Sequence, residues 1–374
     1  MVDVLIIGGG LTGLINAIEL SKAGLEVLLF EKKSYPFHRV CGEYISNEVV
    51  PYLKSIGCYP SDLLPASINR FQLTAVNGDS VEMPLDLGAF GISRYALDHF
   101  LASKATESGA RVMEKTSVEE VQFLDAENCF NVLVKGGNSY QAKIVIGAFG
   151  KRSTIDTRMN REFTSQRSPY VGVKYHIATD FPADKIALHN FRGGYCGISK
   201  VENNTYNLCY LGNRNHLRKY GNIAAMEEAI VCENPHLNHI WKNSDFLLQK
   251  PMAINEISFA KKLPVERHIF MSGDAAGMIT PLCGNGMAMA IHSAKILSAF
   301  IKSMGIPDSL AARIQLENKY GDAWQRLFAW RLWVGRNTQK LFGGKLISGF
   351  AVNLVHVAPA IGKYIMKRTH GKPF

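Results

Sequence analysis

The sequence predicts an α/β fold in which a buried parallel sheet is interrupted by a mostly antiparallel sheet and followed by a helical C-terminal region. Three observations lead to this prediction: a strand–helix–strand pattern at residues 4–30, hairpin signals in the middle of the chain, and apolar helical patterns from residue 287 onward. With 374 residues, 47% of them hydrophobic, two domains can each bury a core. This composition excludes disordered, collagen-like and coiled-coil proteins.

The first element is a strand–helix–strand unit. Residues 4–7 are apolar and β-branched, which is typical of a buried parallel strand. Residues 14–23 have the apolar spacing of a helix, and Gly24 follows it in the position where glycine commonly ends a helix. Residues 27–30 form the second strand, so the segment is a βαβ unit.

The loop of this unit has the spacing of a dinucleotide site. Gly8, Gly10 and Gly13 match GxGxxG, in which the glycines permit the turn, the approach of a pyrophosphate and close helix–strand packing. The N–H groups and dipole at the start of the helix favour that anion. Glu31 follows Gly10 by 21 residues, where a carboxylate can accept a hydrogen bond from a ribose hydroxyl.

A second turn distinguishes between dinucleotides. Residues 269–272 form a buried strand that ends in Gly273 and Asp274, and a helix starts at Met287. Asp274 can accept hydrogen bonds from a polyol chain, and the helix start can direct its positive dipole at the pyrimidine edge of a reduced flavin. Because NAD has no polyol, the combination of both turns favours FAD.

The middle of the chain has the pattern of an inserted sheet. Asn77-Gly78 separates two apolar runs, which is a strong hairpin signal, and residues 135–138 separate another pair. Four more strand patterns follow between residues 171 and 211, and residues 212–245 are mostly helical in pattern. The predicted division is a nucleotide-binding domain at 1–66, 92–155 and 265–320, a substrate-binding domain at 67–91 and 156–264, and a basic helical cap at 321–374.

The positive charge is concentrated at the end of the chain. The net charge is +10, and nine cations but no acidic residue follow Asp322. This asymmetry indicates an anionic partner surface, and nucleic acid is a poor candidate because no nucleic-acid-binding motif accompanies the charge. The uncharged stretch at 346–362 is too short and too polar for a transmembrane helix. We find no targeting signal, and the seven cysteines form no CxxC pair, so we expect a cytoplasmic protein with reduced thiols.

Four motifs resemble those of the flavoprotein monooxygenase superfamily, and within it the geranylgeranyl reductase-like branch. They are GGGLTG at 8–13 with Glu31, CGE at 41–43, IVIGAFGKRS at 144–153 and GDAAGMITPLCGNGM at 273–287. The resemblance implies a two-domain fold of the aromatic-hydroxylase type, with a Rossmann-like FAD-binding domain. The flavin would lie at the domain interface, and a mostly antiparallel sheet would cover the substrate.

The resemblance also implies which residues bind the cofactor. The N-terminal motif would hold the ADP half, Arg39 and Arg94 would lie near the flavin, Asp274 would bind the ribityl hydroxyls, and residues 284–287 would line the isoalloxazine. The implied cofactor-binding residues are Gly8, Gly10, Leu11, Thr12, Gly13, Glu31, Lys32, Arg39, Cys41, Arg94, Gly150, Gly273, Asp274, Pro281, Gly284, Asn285, Gly286 and Met287.

One motif departs from the family. Where the family has Ala-Asp-Gly, this chain has Ala148-Phe149-Gly150. The family's aspartate is linked to the pyrophosphate and to NADPH handling, so its absence weakens the expectation that NADPH or NADH reduces the flavin directly. A separate electron donor is the alternative.

Three residues are candidates for catalysis. In the reductase branch the cysteine of the CGE motif, here Cys41, lies over the flavin near the reacting double bond, and the alternative is that it only packs there. Glu43 can act as an acid or serve as a cap or ion pair, and Tyr195 can hydrogen-bond in the substrate pocket or simply pack. For Cys283 packing is favoured over chemistry, and no role is assigned to His176. No Cys/His set has the spacing of a metal site.

The basic tail has two interpretations. Aromatic and basic residues interleave at 324–340, which suits a membrane interface or an acidic acyl-carrier protein. The alternative, which we favour, is a helical cap that packs its apolar face on the protein and leaves its cations in water.

The function predicted from these features is an FAD-dependent oxidoreductase that transfers a hydride to a C=C bond of a hydrophobic polyprenyl, lipid or polyketide substrate. A first alternative keeps the fold but hydroxylates an aromatic or polyketide substrate through a C4a-hydroperoxide. A flavin halogenase is disfavoured because its tryptophan-rich strand motif is missing. A further alternative is a non-catalytic flavin-binding or membrane-docking protein.

Overall fold

Two β-sheets with helices packed against them make up the fold. The computed structural model describes residues 1–281, 284–339, 344–358, 362 and 371–374. The order of elements is mixed α/β, which confirms the predicted fold class.

The strands alternate with helices in the N-terminal part and follow one another directly between residues 170 and 213. Among the described residues the strands are β1 (Val2–Ile7), β2 (Val27–Phe30), β3 (Tyr44–Ser46), β4 (Ala66–Thr74), β5 (Ser80–Gly91), β6 (Arg111–Met113), β7 (Val118–Leu124), β8 (Cys129–Val134), β9 (Ser139–Gly147), β10 (Tyr170–Ala178), β11 (Lys185–Phe191), β12 (Gly194–Lys200), β13 (Tyr206–Asn213), β14 (Asp245–Phe246), β15 (Met252–Ile254), β16 (Val265–Glu266) and β17 (Ile269–Met271).

The helices connect the strands of the first sheet and cover the second sheet on one face. In the described part of the chain they are α1 (Leu11–Lys22), α2 (Val50–Ser55), α3 (Arg94–Glu107), α4 (Thr154–Arg158), α5 (Arg214–Tyr220), α6 (Ile223–Ala229), α7 (Pro235–Lys242), α8 (Gly286–Met304), α9 (Leu310–Thr338) and α10 (Lys345–Val357).

The first sheet is parallel at its centre. Its strands lie in the order β16-β17-β9-β1-β2-β6, and the β7–β8 hairpin extends it through pairing of β8 with β9. β1 pairs in parallel with β2 and β9, and β9 pairs in parallel with β17. Val4, Leu5 and Ile6 are fully buried, as expected for the central strand of a parallel sheet. The carboxyl ends of β1, β9 and β17 therefore meet at one edge, where α/β sheets receive ligands.

The second sheet is antiparallel except for one parallel pair. Its strands lie in the order β14-β10-β13-β12-β11-β4-β5-β3, with β15 paired to β10, and only β4 and β11 run parallel among the described strands. One face packs against α6 and α7, where Val173, Tyr175 and Ile198 contact Leu237 and Ile240 in a single apolar cluster. The opposite face is left to line a cleft.

The predicted elements are found with small shifts at their ends. The first helix begins at Leu11 rather than Leu14, because the glycine turn is shorter than the apolar pattern suggests. β3 pairs with β5 of the second sheet, although the predicted division assigns residues 1–66 to the nucleotide-binding domain. β3 has only three residues and no turn residues that join it to a neighbouring strand, so the sequence did not indicate its pairing with β5. The division into domains stays a prediction.

The C-terminal helices form a cap. α9 turns every fourth residue inward, and these residues join the core of the first sheet: Leu316, Tyr320, Trp324, Phe328 and Leu332. Spacing of four keeps such residues on one helix face. No helix within the described residues has the length and apolarity to cross a bilayer.

Val352 of α10 packs with Leu73, Leu188 and Tyr195 of the second sheet. One side of α10 is therefore packed on the second sheet. Lys340, Lys363, Lys367 and Arg368, which contribute to the basic tail, lie outside the described residues.

We predict that two helical glycines respond in opposite ways to alanine. A Cβ on Gly13 would lie 2.0 Å from the Gly8 carbonyl oxygen, so Gly13→Ala should lower the free energy of unfolding by about 2 kcal/mol or more. A Cβ on Gly321 would find its nearest neighbour at 3.8 Å, so Gly321→Ala should raise that free energy by about 0.5–1 kcal/mol. Urea unfolding of both variants measures the difference, and equal effects would contradict the close strand–helix contact.

Candidate active site

A cleft of about 1190 Å³ lies between the parallel edge of the first sheet and the open face of the second sheet. Residues from both glycine turns line it, and so do residues of the CGE loop and the second sheet. The predicted site residues on its wall are Gly8, Gly10, Leu11, Thr12, Glu31, Lys32, Arg39, Cys41, Glu43, Arg94, Gly150, Tyr195, Asp274, Pro281, Gly284, Gly286 and Met287. Gly13, Gly273 and Asn285 lie behind this wall, and their contacts shape it.

The first turn presents the start of α1 to the cleft. Gly8 has φ +109°, and a Cβ there would lie 2.5 Å from the Ala148 carbonyl oxygen, so only glycine fits. Gly10 is the N-cap of α1, and no side chain of the described residues caps this helix. The first N–H groups of α1 can therefore bind an anion.

A network of two carboxylates and two guanidinium groups surrounds this turn. Glu31 Oε2 accepts hydrogen bonds from the Gly9 N–H (3.0 Å) and from Arg39 Nη2 (3.1 Å). Asp98, which is fully buried, accepts from Arg39 Nε (2.8 Å) and from Arg94 Nε (2.7 Å) and Nη2 (2.8 Å). Asp98 thus fixes both arginines next to the first turn, a role that the sequence motif around Arg94 did not reveal.

The second turn lies directly against the first. Gly273 has φ +64°, and a Cβ there would come within 2.4 Å of Thr12 Oγ1 on α1. Asp274, the next residue, lines the same cleft. The Lys262 ammonium donates to the Asp274 carbonyl oxygen (2.8 Å), and burial lowers the pKa of Lys262 to about 8. Burial raises the pKa of the Asp274 carboxyl even though Lys262, Arg94 and Lys151 oppose the shift.

The start of α8 forms the far end of the second turn. Asn285 is its N-cap and is fully buried, and no side chain of the described residues caps the helix. Gly284 has φ +61°, and a Cβ there would lie 3.1 Å from the Tyr44 ring. The positive end of α8 is therefore directed toward the cleft wall formed by Gly286 and Met287. Cys283 lies outside the described residues.

The residues of the cleft fit FAD. Two helix starts without side-chain caps suit a pyrophosphate and an electron-rich ring edge, Glu31 retains lone pairs for a ribose, and Asp274 lies between the two ends. Gly273 and Thr12 pack against each other, so both turns contribute to one continuous wall. The role of each residue toward FAD stays a prediction.

Cys41 lies on the cleft wall between the two sheets. Its carbonyl oxygen accepts from Asn207 Nδ2 (3.1 Å) on β13. Burial raises the pKa of the Cys41 thiol, although the Arg94 charge opposes the shift. At neutral pH the group is therefore a protonated thiol that holds a proton at Sγ, rather than a thiolate nucleophile.

Glu43 is the centre of a buried ion cluster. It has φ +51° and is fully buried; Oε1 accepts from the Arg94 N–H (2.7 Å) and from Lys174 Nζ, and Oε2 pairs with His176 Nε2 at 2.7 Å. Burial alone would raise the pKa of Glu43, but the His176 hydrogen bond and the Lys174 charge outweigh it and hold the pKa below its ordinary value. Because both oxygens are occupied, the geometry favours the cap and ion pair over a catalytic acid.

Sequence reasoning missed the partners of Glu43. Lys174 and His176 are two residues apart on β10 and so point to the same face of the second sheet, the cleft face. His38 lines the cleft next to them, with its ring centroid 5.1 Å from that of His176 and 4.6 Å from that of Tyr95. The sequence did contain a signal for this cluster: Lys174 and His176 are two polar residues, two positions apart, in an otherwise apolar strand.

The second sheet supplies an apolar chamber to the cleft. Alternate residues on neighbouring strands face it, as strand periodicity requires. Tyr195, Gly197 and Ser199 of β12 follow this rule, so Tyr195 lies on the cleft face, and its role there stays a prediction. Other chamber residues are Phe71, Leu73, Met83, Leu85, Ile186, Leu188, Leu211, Met252, Ile254, Ile257 and Met278.

The loop that replaces the family's Ala-Asp-Gly lies beside the first turn. Phe149 and Gly150 line the cleft, and Gly150 has φ +81° with no atom near its missing Cβ. Lys151 and Arg152 follow on the same wall, and burial lowers the pKa of Lys151 to about 8. The carboxylate of the family motif is thus absent, and cations adjoin its place.

Comparisons with known proteins agree with this geometry. The family model of the FAD binding domain matches residues 1–303. Conditioned medium factor receptor 1 of Dictyostelium discoideum is 24% identical over 364 residues, which cover 87% of this chain and 68% of that protein. Digeranylgeranylglycerophospholipid reductase 1 of Methanopyrus kandleri is 26% identical over 346 residues, which cover 87% of this chain and 86% of that protein.

Among solved structures, a geranylgeranyl bacteriochlorophyll reductase-like protein of Thermoplasma acidophilum superposes with a TM-score of 0.79. It is 19% identical, and the match covers 98% of this chain and 96% of that one. At this identity the likeness concerns the fold alone. The comparisons together confirm the resemblance stated from the motifs.

We predict that Glu43→Gln destabilises the protein in a pH-dependent way. The substitution leaves the buried Lys174 without a charged partner and should cost about 3 kcal/mol at pH 7. Since the folded-state pKa of Glu43 is lowered, its stabilisation is present above the ordinary value of 4.5 and is lost as the pH falls through the folded-state value. The difference between the two proteins should therefore shrink in acid, which denaturant unfolding between neutral and acid pH measures.

The matched control is Glu82→Gln. Glu82 is partly exposed and pairs with Arg70 and Lys185 at the surface, so its loss should cost about 1 kcal/mol or less. An equal effect of both substitutions would show that the Glu43 cluster contributes no more than a surface ion pair.

Proposed function

The chain belongs to the FAD binding domain family and is an FAD-dependent oxidoreductase, and from this premise we propose that it reduces C=C bonds in the polyprenyl chain of a lipid. The relative from Methanopyrus kandleri is named a reductase of a digeranylgeranyl lipid, which supports this substrate class. A hydride would reach one carbon of the double bond and a proton the other, so that two electrons reduce one bond.

One observation carries the proposal: the cleft is continuous from a polar half to an apolar half. The polar half contains the two glycine turns, Arg39 and Arg94, whereas the apolar half is built from alternate residues of the second sheet. A long hydrocarbon chain can lie in such a chamber because burial of its surface is favourable by about 25 cal/mol per Å². No cationic or anionic side chain of the described residues lies among the chamber residues of β4, β5, β11 and β12.

FAD supplies the hydride when it is bound in its reduced form. The residues of this chain would position it: the starts of α1 and α8 at its two ends, Asp274 between them, and Arg94 beside Gly10. The positive end of α8 would stabilise negative charge at that end of the cleft. The Glu43 cluster ties the CGE loop to β10 and so keeps Cys41 at the boundary between the two halves.

Cys41 is the residue that we propose as the proton donor. Cys41 lines the cleft, and burial keeps its thiol protonated. After donation, the nearby charges of Arg94 and Lys174 would stabilise the thiolate, because both act to lower the pKa of this group. Tyr195 would contribute to the chamber wall rather than to the proton transfer, since it lies on β12 within the apolar cluster.

NADPH or NADH is proposed as the source of electrons, with a separate protein donor as the alternative. Cationic Lys151 and Arg152 on the cleft wall can attract a phosphorylated nucleotide. The separate protein donor is supported by Phe149, which replaces the carboxylate of the family motif.

We expect the FAD-loaded protein, reduced without oxygen by NADPH, NADH or dithionite, to be reoxidised by a lipid with geranylgeranyl chains. The flavin absorbance should return as the lipid gains two hydrogens per bond, which mass spectrometry detects. A saturated lipid of equal length is the control. If the lipid stays unchanged without oxygen but gains labelled oxygen in air, the reductase proposal is wrong and the hydroxylation alternative holds.

A second test concerns the proton donor. Cys41→Ala and Cys41→Ser should each lower turnover by roughly a hundredfold, since neither side chain is an acid comparable to a thiol. Serine is similar in size to cysteine. A loss of turnover in the serine variant as well as in the alanine variant would therefore result from the missing acid and not from altered packing. Cys232→Ala, on a residue outside the cleft, is the control and should leave turnover unchanged. Unaltered turnover with full FAD content in both Cys41 variants would exclude the thiol from the reaction.

A further inference from the structure

The outer face of α9 exposes two large aromatic side chains. Trp330 is 54% exposed and Trp333 51%, and their rings stack with centroids 4.8 Å apart. Leu327 lies three residues before Trp330 on the same face and is also exposed. Arg326 and Arg336 flank these residues at helical spacing, and we call these five residues the tryptophan face.

The core does not need the tryptophan face. The inward stripe of α9, which includes Trp324 and Phe328, is buried and fixes the helix on the first sheet. Arg331 also turns inward, and its Nη1 lies 3.8 Å from the buried Glu48 carboxylate. The helix is therefore held by one side, while the side with the two tryptophans faces solvent.

After Asp322 all charged side chains are cationic. Neither Arg326 nor Arg336 forms an ion pair with an acidic group of the described residues. No acidic residue follows Asp322 anywhere in the sequence. Indole rings between cations are the combination that inserts at the headgroup level of an anionic bilayer.

We propose that the tryptophan face docks the protein on an anionic membrane surface. The indoles would insert among the headgroups, and Arg326 and Arg336 would bind lipid phosphates. This inference goes beyond the reaction proposed above and does not depend on it.

The size of the face favours a membrane over a folded protein partner. A fully buried tryptophan contributes at most about 250 Å², so two half-exposed tryptophans and Leu327 offer far less than the roughly 800 Å² per partner of a stable protein interface. Shallow insertion into a bilayer requires no such area, because cations and indoles act together.

Docking on this face would bring the apolar chamber close to the lipid. The same tail supplies part of the chamber wall, through Thr338 at the end of α9, Val355 of α10 and Gly362. Thr338 follows Trp333 by five residues, about 7.5 Å along the helix axis.

The test uses the full chain loaded with FAD and vesicles of phosphatidylcholine with or without phosphatidylglycerol. We expect sedimentation with the anionic vesicles, weakened by salt, and much less with phosphatidylcholine alone. Trp330→Ala/Trp333→Ala should weaken binding by about tenfold or more, and Arg326→Gln/Arg336→Gln by a similar factor. The matched control is Leu310→Ala/Ile314→Ala, which removes exposed apolar side chains near the other end of α9 and should change nothing.

Three results would overturn the proposal. The first is that the wild-type protein does not sediment with anionic vesicles. The second is that the tryptophan variant and the control variant bind vesicles equally well. The third is that the tryptophan variant still binds vesicles but no longer forms a homodimer or no longer binds an acidic acyl-carrier protein. FAD content and turnover on detergent-dispersed substrate should be unchanged in the tryptophan variant. These readouts separate failure of docking from failure of the proposed reaction.

Discussion

The cleft depends on the absence of a side chain at Gly273. This residue lies against Thr12 at the start of α1, so that two turns separated by some 260 residues of sequence share one wall. Any Cβ would meet the Thr12 hydroxyl at 2.4 Å, and the positive φ of Gly273 adds a second reason for glycine. Because these turns touch, they form one continuous wall at the carboxyl edge of the parallel sheet.

A second constraint joins the two sheets. Glu43 on the CGE loop binds Lys174 and His176 on β10 and the backbone of Arg94 at the start of α3. A buried charge is stable only when it is paired, so this cluster fixes the position of the CGE loop relative to the first glycine turn. The position of Cys41, two residues earlier, follows from that constraint.

Helix α9 of the tail has a buried face and an exposed face, which the composition of the tail could not distinguish. One face of α9 is a core element, whereas the other face presents cations and stacked indoles to the surroundings. The sequence offered a packed cap and a partner surface as alternatives, but a helix has two sides, and the structure assigns residues to each. Every fourth residue from Leu316 to Leu332 turns inward, and neither Trp330 nor Trp333 belongs to this series.

The sequence by itself determined the fold class, the two glycine turns and the cofactor type, because those features depend on local backbone geometry and on fixed spacings. It also offered Cys41 and Tyr195 as candidates; both line the cleft, and their roles stay predictions. Only the tertiary structure showed that Asp98 holds Arg39 and Arg94, that Glu43 is fully paired, and that Lys174, His176 and His38 gather beside it. Apart from the Arg94–Asp98 pair within α3, these contacts join residues from different elements. The polar pair on β10 was visible in the sequence, but its partner on the CGE loop was not, because burial and charge pairing arise only when the sheets come together.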